Sequence, residues 1–136
     1  MTILVTGGTG FIGSNLCNYL VTEKRVSVVN VDSLTYAANE ENVAHLSSYP
    51  NYRFFHADIR SMESLRRIFD EVKPTAVMHL AAESHVDRSI SAPSDFITTN
   101  VLGTFNLLEI VRDYLQGLDQ HAKANFRFHH ISTDEV

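Results

Sequence analysis

Residues 2–13, "TILVTGGTGFIG", decide the fold. "TILVT" (2–6) is a run of β-branched and aliphatic residues and predicts a buried strand. Glycines follow at once, as Gly7-x-x-Gly10-x-x-Gly13 and also Gly8-x-Gly10-x-x-Gly13. From Phe11 to about Val21 the apolar positions Phe11, Ile12, Leu16, Tyr19 and Leu20 give a helical stripe. A glycine pattern alone is weak, but between a strand and a helix it has the setting that phosphate binding needs. Glycine permits the tight turn and lets the backbone come close to a pyrophosphate. The helix N-terminus then offers free N–H groups and partial positive charge.

Outward from this turn the pattern repeats. "VSVVNVD" (26–32), "YRFFHAD" (52–58), "TAVMHLAA" (75–82) and "NFRFHHIS" (125–132) predict four more strands. Between them, Ser61 starts a helix as its N-cap, and Pro74 ends it. A long helix runs from about Pro93 to Leu115, with Phe96, Val101, Phe105, Leu108 and Val111 as its packing stripe. Strands alternating with helices imply a parallel sheet covered on both faces. Right-handed crossovers favour an α/β, Rossmann-type doubly wound sheet of order 3-2-1-4-5, ending after its fifth strand. Asp32 closes the second strand 19 residues after Gly13. A carboxylate there can accept hydrogen bonds from ribose hydroxyls and repels a 2′-phosphate, which favours NAD over NADP.

The 136 residues amount to one domain, with 44% hydrophobic and 20% charged residues, as in a soluble globular chain. A net charge of −5 without a Lys/Arg cluster argues against a nucleic-acid partner. The single Cys17 fits a reducing compartment. With no signal-peptide pattern and no apolar run near the ~18 residues of a membrane span, a cytoplasmic location is expected. Seven histidines raise the question of a metal. His79 and His85 lack ligand-cluster spacing, and His129 and His130 point to opposite strand faces, so no metal site is expected.

With "DSLTYAAN", "HADIR", "HLAAESHVDRSI", "TTNVLGTFNLLE" and "ISTDEV" added to the glycines, the whole chain resembles the extended short-chain dehydrogenase/reductase family. Within it, the chain is similar to the N-terminal part of the dTDP-glucose 4,6-dehydratases. The resemblance implies NAD as cofactor and dTDP-glucose as substrate. It places Gly7, Gly10, Phe11, Ile12 and Gly13 at the pyrophosphate, and Asp32, Ser33, Leu34 and Thr35 at the adenosine ribose. Asp58 and Ile59 would flank the adenine. Leu80, Ala81, Ala82, Glu83 and Ser84 would run beneath the nicotinamide half, with Thr99 nearby, and Ser84 and Thr133 would touch the hexose. Ser33 is a departure, since relatives often carry Lys there. Arg88 and Asp87 either hold the substrate or form a structural ion pair. The long helix would join a dimer-forming bundle, giving a homodimer, and deoxysugar biosynthesis for lipopolysaccharide or antigen is the implied setting.

The implied reaction moves hydride from carbon 4 to NAD, eliminates water across carbons 5 and 6, and returns hydride to carbon 6. Elimination needs a base and an acid, which two carboxylates can supply if the site separates their pKa values. By the resemblance Asp134 is the acid, Glu135 the base, and Thr133 bonds the carbon 4 oxygen; the residues alone leave the assignment of the two acids open. The plain structural alternative for "TDE", a solvated turn or an N-cap with first-turn acids for a following helix, carries less weight beside the full set of motifs. Epimerases of the superfamily generally carry small residues and serines at these three positions. No tyrosine is followed four residues later by lysine, so the family's Tyr-x-x-x-Lys pair is not in this chain. The expectation is an incomplete NAD-binding domain (1–136) without the C-terminal substrate domain, inactive by itself and prone to poor solubility. The alternatives are an NAD-dependent UDP-sugar epimerase or decarboxylase, or a non-catalytic NAD-binding module.

Overall fold

The computed structural model describes residues 1–85, 90 and 92–132. Five strands, β1 (Thr2–Thr6), β2 (Ser27–Asp32), β3 (Tyr52–His56), β4 (Ala76–His79) and β5 (Arg127–His130), form one sheet of order β3-β2-β1-β4-β5. All four pairings are parallel, with Leu4 opposite Val29 and Val77, and Val77 opposite Phe128. The winding reverses at β1, so the crevice of a doubly wound sheet lies beyond its carboxyl end.

Side chains alternate across the sheet. Ile3, Val5 and Val28 face one core with Cys17, Leu20, Val21, Val43 and Leu46. Leu4, Val29, Val31 and Val77 face the other, with Leu65, Ile68, Phe69, Leu107, Ile110 and Val111. The first face is covered by α1 (Phe11–Asn18), which continues as a π-helical turn (Tyr19–Glu23), and by α2 (Glu41–Ala44) with a 3-10 turn (His45–Ser48). The second carries α3 (Met62–Val72) and a helical run made of α4 (Pro93–Phe96), a π-helical stretch (Ile97–Gly103) and α5 (Thr104–Gln116). A last short helix, α6 (Gln120–Asn125), precedes β5. Ser61 caps α3 by accepting the Ser64 N–H, and Lys73 at φ 46° closes it before Pro74.

Several expectations need correction. The strands predicted at 52–58, 75–82 and 125–132 are shorter, because their ends do other work. Asp58 turns back on Arg60, residues beyond His79 form a cavity wall, and the Phe126 N–H closes α6 on the Ala122 carbonyl. The stripe predicted for α1 is only partly right: Leu20 is buried and Leu16 packs against the same core, but Phe11, Ile12 and Tyr19 are exposed, and Gly13, Ser14, Cys17 and Val21 are buried instead. Small residues let this helix approach the sheet, so Phe11 and Ile12 face outward. The long helix is rotated. Leu107, Ile110 and Val111 meet the core, while Ile97, Val101, Phe105 and Leu108 are exposed. Val111 alone of the five predicted packing residues is buried.

Candidate functional site

β1 ends at Thr6, and Gly7 takes φ +72°, a left-handed conformation that favours glycine. A Cβ at Gly13 would lie 2.1 Å from the Gly7 carbonyl oxygen, and one at Gly7 would lie 2.7 Å from the Ala81 nitrogen. Both contacts are with backbone, so the turn, α1 and the segment after β4 are packed too closely for a side chain. Gly10 is the N-cap of α1, with no side chain capping the helix and no acid in its first turn. An uncapped N-terminus leaves N–H donors and the positive end of the helix dipole for an anion.

Asp32 is buried at the tip of β2. Its Oδ2 accepts the Thr9 N–H at 2.9 Å and its Oδ1 the Leu34 N–H at 2.9 Å. Leu34 reaches that geometry with φ 53°. Each carboxylate oxygen keeps a lone pair for a further donor. At the tip of β3, Arg60 grips Asp58 through its Nε and Nη2. Partial burial pushes the Asp58 carboxyl up, but the hydrogen bonds and charge of Arg60 outweigh it and hold the group below its ordinary value. Beyond β4, Thr6 accepts the Leu80 N–H on its carbonyl and the Ala81 N–H on its hydroxyl. Asn100, in the π-helical stretch, clamps the Glu83 peptide with two bonds of 2.8 Å, and the Tyr36 hydroxyl donates to the Glu83 carboxylate at 3.0 Å.

These pieces surround one cavity of about 410 Å³. Gly7, Gly10, Phe11, Ile12 and Gly13 form its first wall; Asp32, Ser33 and Thr35 its second; Asp58 and Ile59 its third; Leu80, Ala81, Ala82, Glu83 and Ser84 its floor, beside Thr99. The sequence-predicted residues thus converge, except that Leu34 is not among the lining residues. Thr133, Asp134 and Glu135, like Asp87 and Arg88, lie outside the described residues. Arg60, Ala37, Ala38 and Ile131 also line the cavity and escape the sequence reading. So do Tyr36 and Asn100, whose roles arise from contacts across it. No local pattern marks either residue, since their partners lie 47 and 17 residues away.

Other reactive groups are quiet. Cys17 is buried and its thiol is pushed up to about 12, by burial first and then by the Asp32 carboxylate, which makes it a poor nucleophile. Among the described residues no three His, Cys, Asp or Glu side chains gather as a metal site, and no helix is long and apolar enough to cross a membrane.

Known proteins resemble this arrangement closely. A dTDP-glucose 4,6-dehydratase of Escherichia coli (strain K12) is 57% identical over all 136 residues, which span 38% of its length. The Bacillus anthracis dTDP-glucose 4,6-dehydratase, solved in complex with NAD, superposes with a TM-score of 0.81 at 37% identity, covering 100% of this chain and 38% of that one. Thermus thermophilus UDP-glucose 4-epimerase, also solved with NAD, gives 0.74 at 38% identity over 84% of this chain and 34% of its own. The chain therefore spans about two-fifths of the curated relative. The family model for GDP-mannose 4,6 dehydratase matches residues 4–136, a span that takes in the glycine turn, Asp32 and the whole cavity floor, and the chain belongs to that family.

Proposed function

We propose that this chain is the NAD-binding part of a dTDP-glucose 4,6-dehydratase, a lyase of nucleotide-sugar metabolism. The observation that carries the cofactor half is the single cavity joining the glycine turn, Asp32 and the segment after β4. The contacts a Cβ would make at Gly7 and Gly13, and the uncapped α1 N-terminus, suit a pyrophosphate. The remaining lone pairs of Asp32 suit ribose hydroxyls, and its charge disfavours a 2′-phosphate. Bound NAD supplies the hydride acceptor for carbon 4 and the donor for carbon 6. The 57% identity to a dehydratase over the full chain supports this reaction rather than another.

In this reading Gly7, Gly10, Phe11, Ile12 and Gly13 seat the phosphates, while Asp32, Ser33 and Thr35 hold the adenosine ribose and Leu34 acts through its N–H on Asp32. Asp58 and Ile59 edge the adenine. Leu80, Ala81, Ala82, Glu83, Ser84 and Thr99 hold the nicotinamide half in place. Thr133 steadies the carbon 4 oxygen, Glu135 takes the carbon 5 proton made acidic by the adjacent ketone, and Asp134 protonates the departing hydroxyl. Ser84 and Thr133 contact the hexose. The exposed residues Ile97, Val101, Phe105 and Leu108 form a helix face suited to a homodimer. A cytoplasmic setting completes the reading. Incubating the protein at its full natural length with dTDP-glucose and NAD tests the reaction by mass spectrometry. A product lighter by one water is expected; an unchanged mass with an inverted hydroxyl would point to an epimerase and overturn the assignment.

A further inference from the structure

His79 ends β4, is fully buried, and takes no part in the chemistry above. Its Nδ1 lies 2.6 Å from the Thr6 hydroxyl on β1, and its Nε2 lies 2.9 Å from the Thr104 hydroxyl on α5. The His130 ring of β5 stacks beside it, with centroids 5.0 Å apart and planes 32° apart, and Phe128 follows at 6.3 Å. His79 thus touches elements on both sides of β4 and the helix above it.

Thr6 is fully buried, and its hydroxyl oxygen already accepts the Ala81 N–H at 3.3 Å. Its single proton needs an acceptor, because a buried hydroxyl without one costs free energy. His79 Nδ1 is in place to take it, so Nδ1 carries no proton. Nε2 then carries the ring proton and donates to Thr104, whose own hydroxyl is only partly buried and can give its proton to water. Burial, and then the neighbouring His130, hold the ring neutral by lowering its pKa to about 4. His130 is the titratable group that faces it; Thr6, Thr104 and Phe128 supply the other contacts.

We propose that His79 is a positioning residue, locked as the neutral Nε2–H tautomer, that transmits the placement of α5 through Thr6 to the Ala81 amide at the cavity floor. Ala81 in turn packs on Gly7, so the same chain sets the spacing between floor and glycine turn. The consequence for NAD rests on the cofactor reading given above. A histidine that only fills space would affect stability and leave the floor and its ligand alone.

Two measurements on the protein at its full natural length decide this. Long-range ¹⁵N NMR of the histidine rings is expected to give the Nε2–H pattern for His79, without titration, between about pH 5 and 8. An Nδ1–H pattern, or titration near the ordinary value, overturns the proposal. Thr104→Val removes the link from His79 to α5, and Thr6→Val removes both the His79 and the Ala81 bonds of the Thr6 hydroxyl, each at nearly constant volume, and neither residue lines the cavity. Faster exchange of the Ala81 amide and a Kd for NAD raised about tenfold, the weight of one buried hydrogen bond, are expected in both. Thr104→Val, at a half-buried helical site, should stay folded, with its unfolding midpoint lowered by no more than the loss of one hydrogen bond. Unchanged Ala81 exchange and NAD affinity in a folded Thr104→Val protein overturn the proposal. The ring tautomer and the amide exchange need no cofactor. Wild-type protein that binds no NAD would therefore overturn the cofactor reading while these two still decide the role of His79.

Discussion

Asp32 binds one backbone N–H from the glycine turn and one from its own loop, so a single carboxylate fixes the relation between β1 and β2 tips. Asn has the same shape but presents an NH₂ to one of those donors. Asp32→Asn is therefore expected to weaken NAD binding at least about tenfold, roughly 1.4 kcal/mol by calorimetry, and to lower thermal stability. Equal affinity in the variant would contradict the placement of the ribose. His79 bears on pH dependence. Its folded value of about 4 lies below the unfolded 6.5, so on acidification the unfolded state takes up the proton first. Stability attributable to this residue thus falls as pH drops from 6.5 towards 4, by about 3 kcal/mol in all. Denaturant titrations should show the advantage of wild type over His79→Gln narrowing from pH 7 to pH 4.5; a constant difference would argue that His79 titrates alike in the folded and unfolded states.

Among the elements, what the sequence makes legible is what local spacing controls. The strand alternation, the glycine turn, Asp32 and the Ser61 cap depend on near neighbours, and the structure places them as read. Helix faces were harder. In α1 and α5 both faces carry apolar residues, so periodicity alone picks some core residues, such as Leu20 and Val111, and misses others; buried small residues such as Gly13 and Gly103 mark the faces that meet the core. A Cβ on Gly103 would lie 2.7 Å from the Ile59 side chain. The Tyr36–Glu83 bond and the Asn100 clamp join segments 47 and 17 residues apart, beyond any local signal. The rotation of α5 has a direct test. Leu107→Ala should cost about 2–5 kcal/mol of stability by leaving a cavity in the core. Phe105→Ser, on the exposed face, should stay within about 0.5 kcal/mol while reducing self-association. The reverse ranking in chemical denaturation would return the helix to the face first read from its sequence.

Across the whole molecule, the four walls of the cavity come from four strand ends and the π-helical stretch, held in register by parallel pairing. A chain two-fifths the length of its curated relative thus forms this cavity from its own strand ends. The central claim is that NAD lies across the tips of β1 to β4. The most direct measurement is an amide chemical-shift titration of the protein with NAD. Shifts should cluster at Gly7–Gly13, Asp32–Thr35, Asp58–Arg60 and Leu80–Ser84, and the same titration with NADP should be much weaker. Saturable binding whose shifts fall on the outer face of α5, or none at these four segments, would contradict the account.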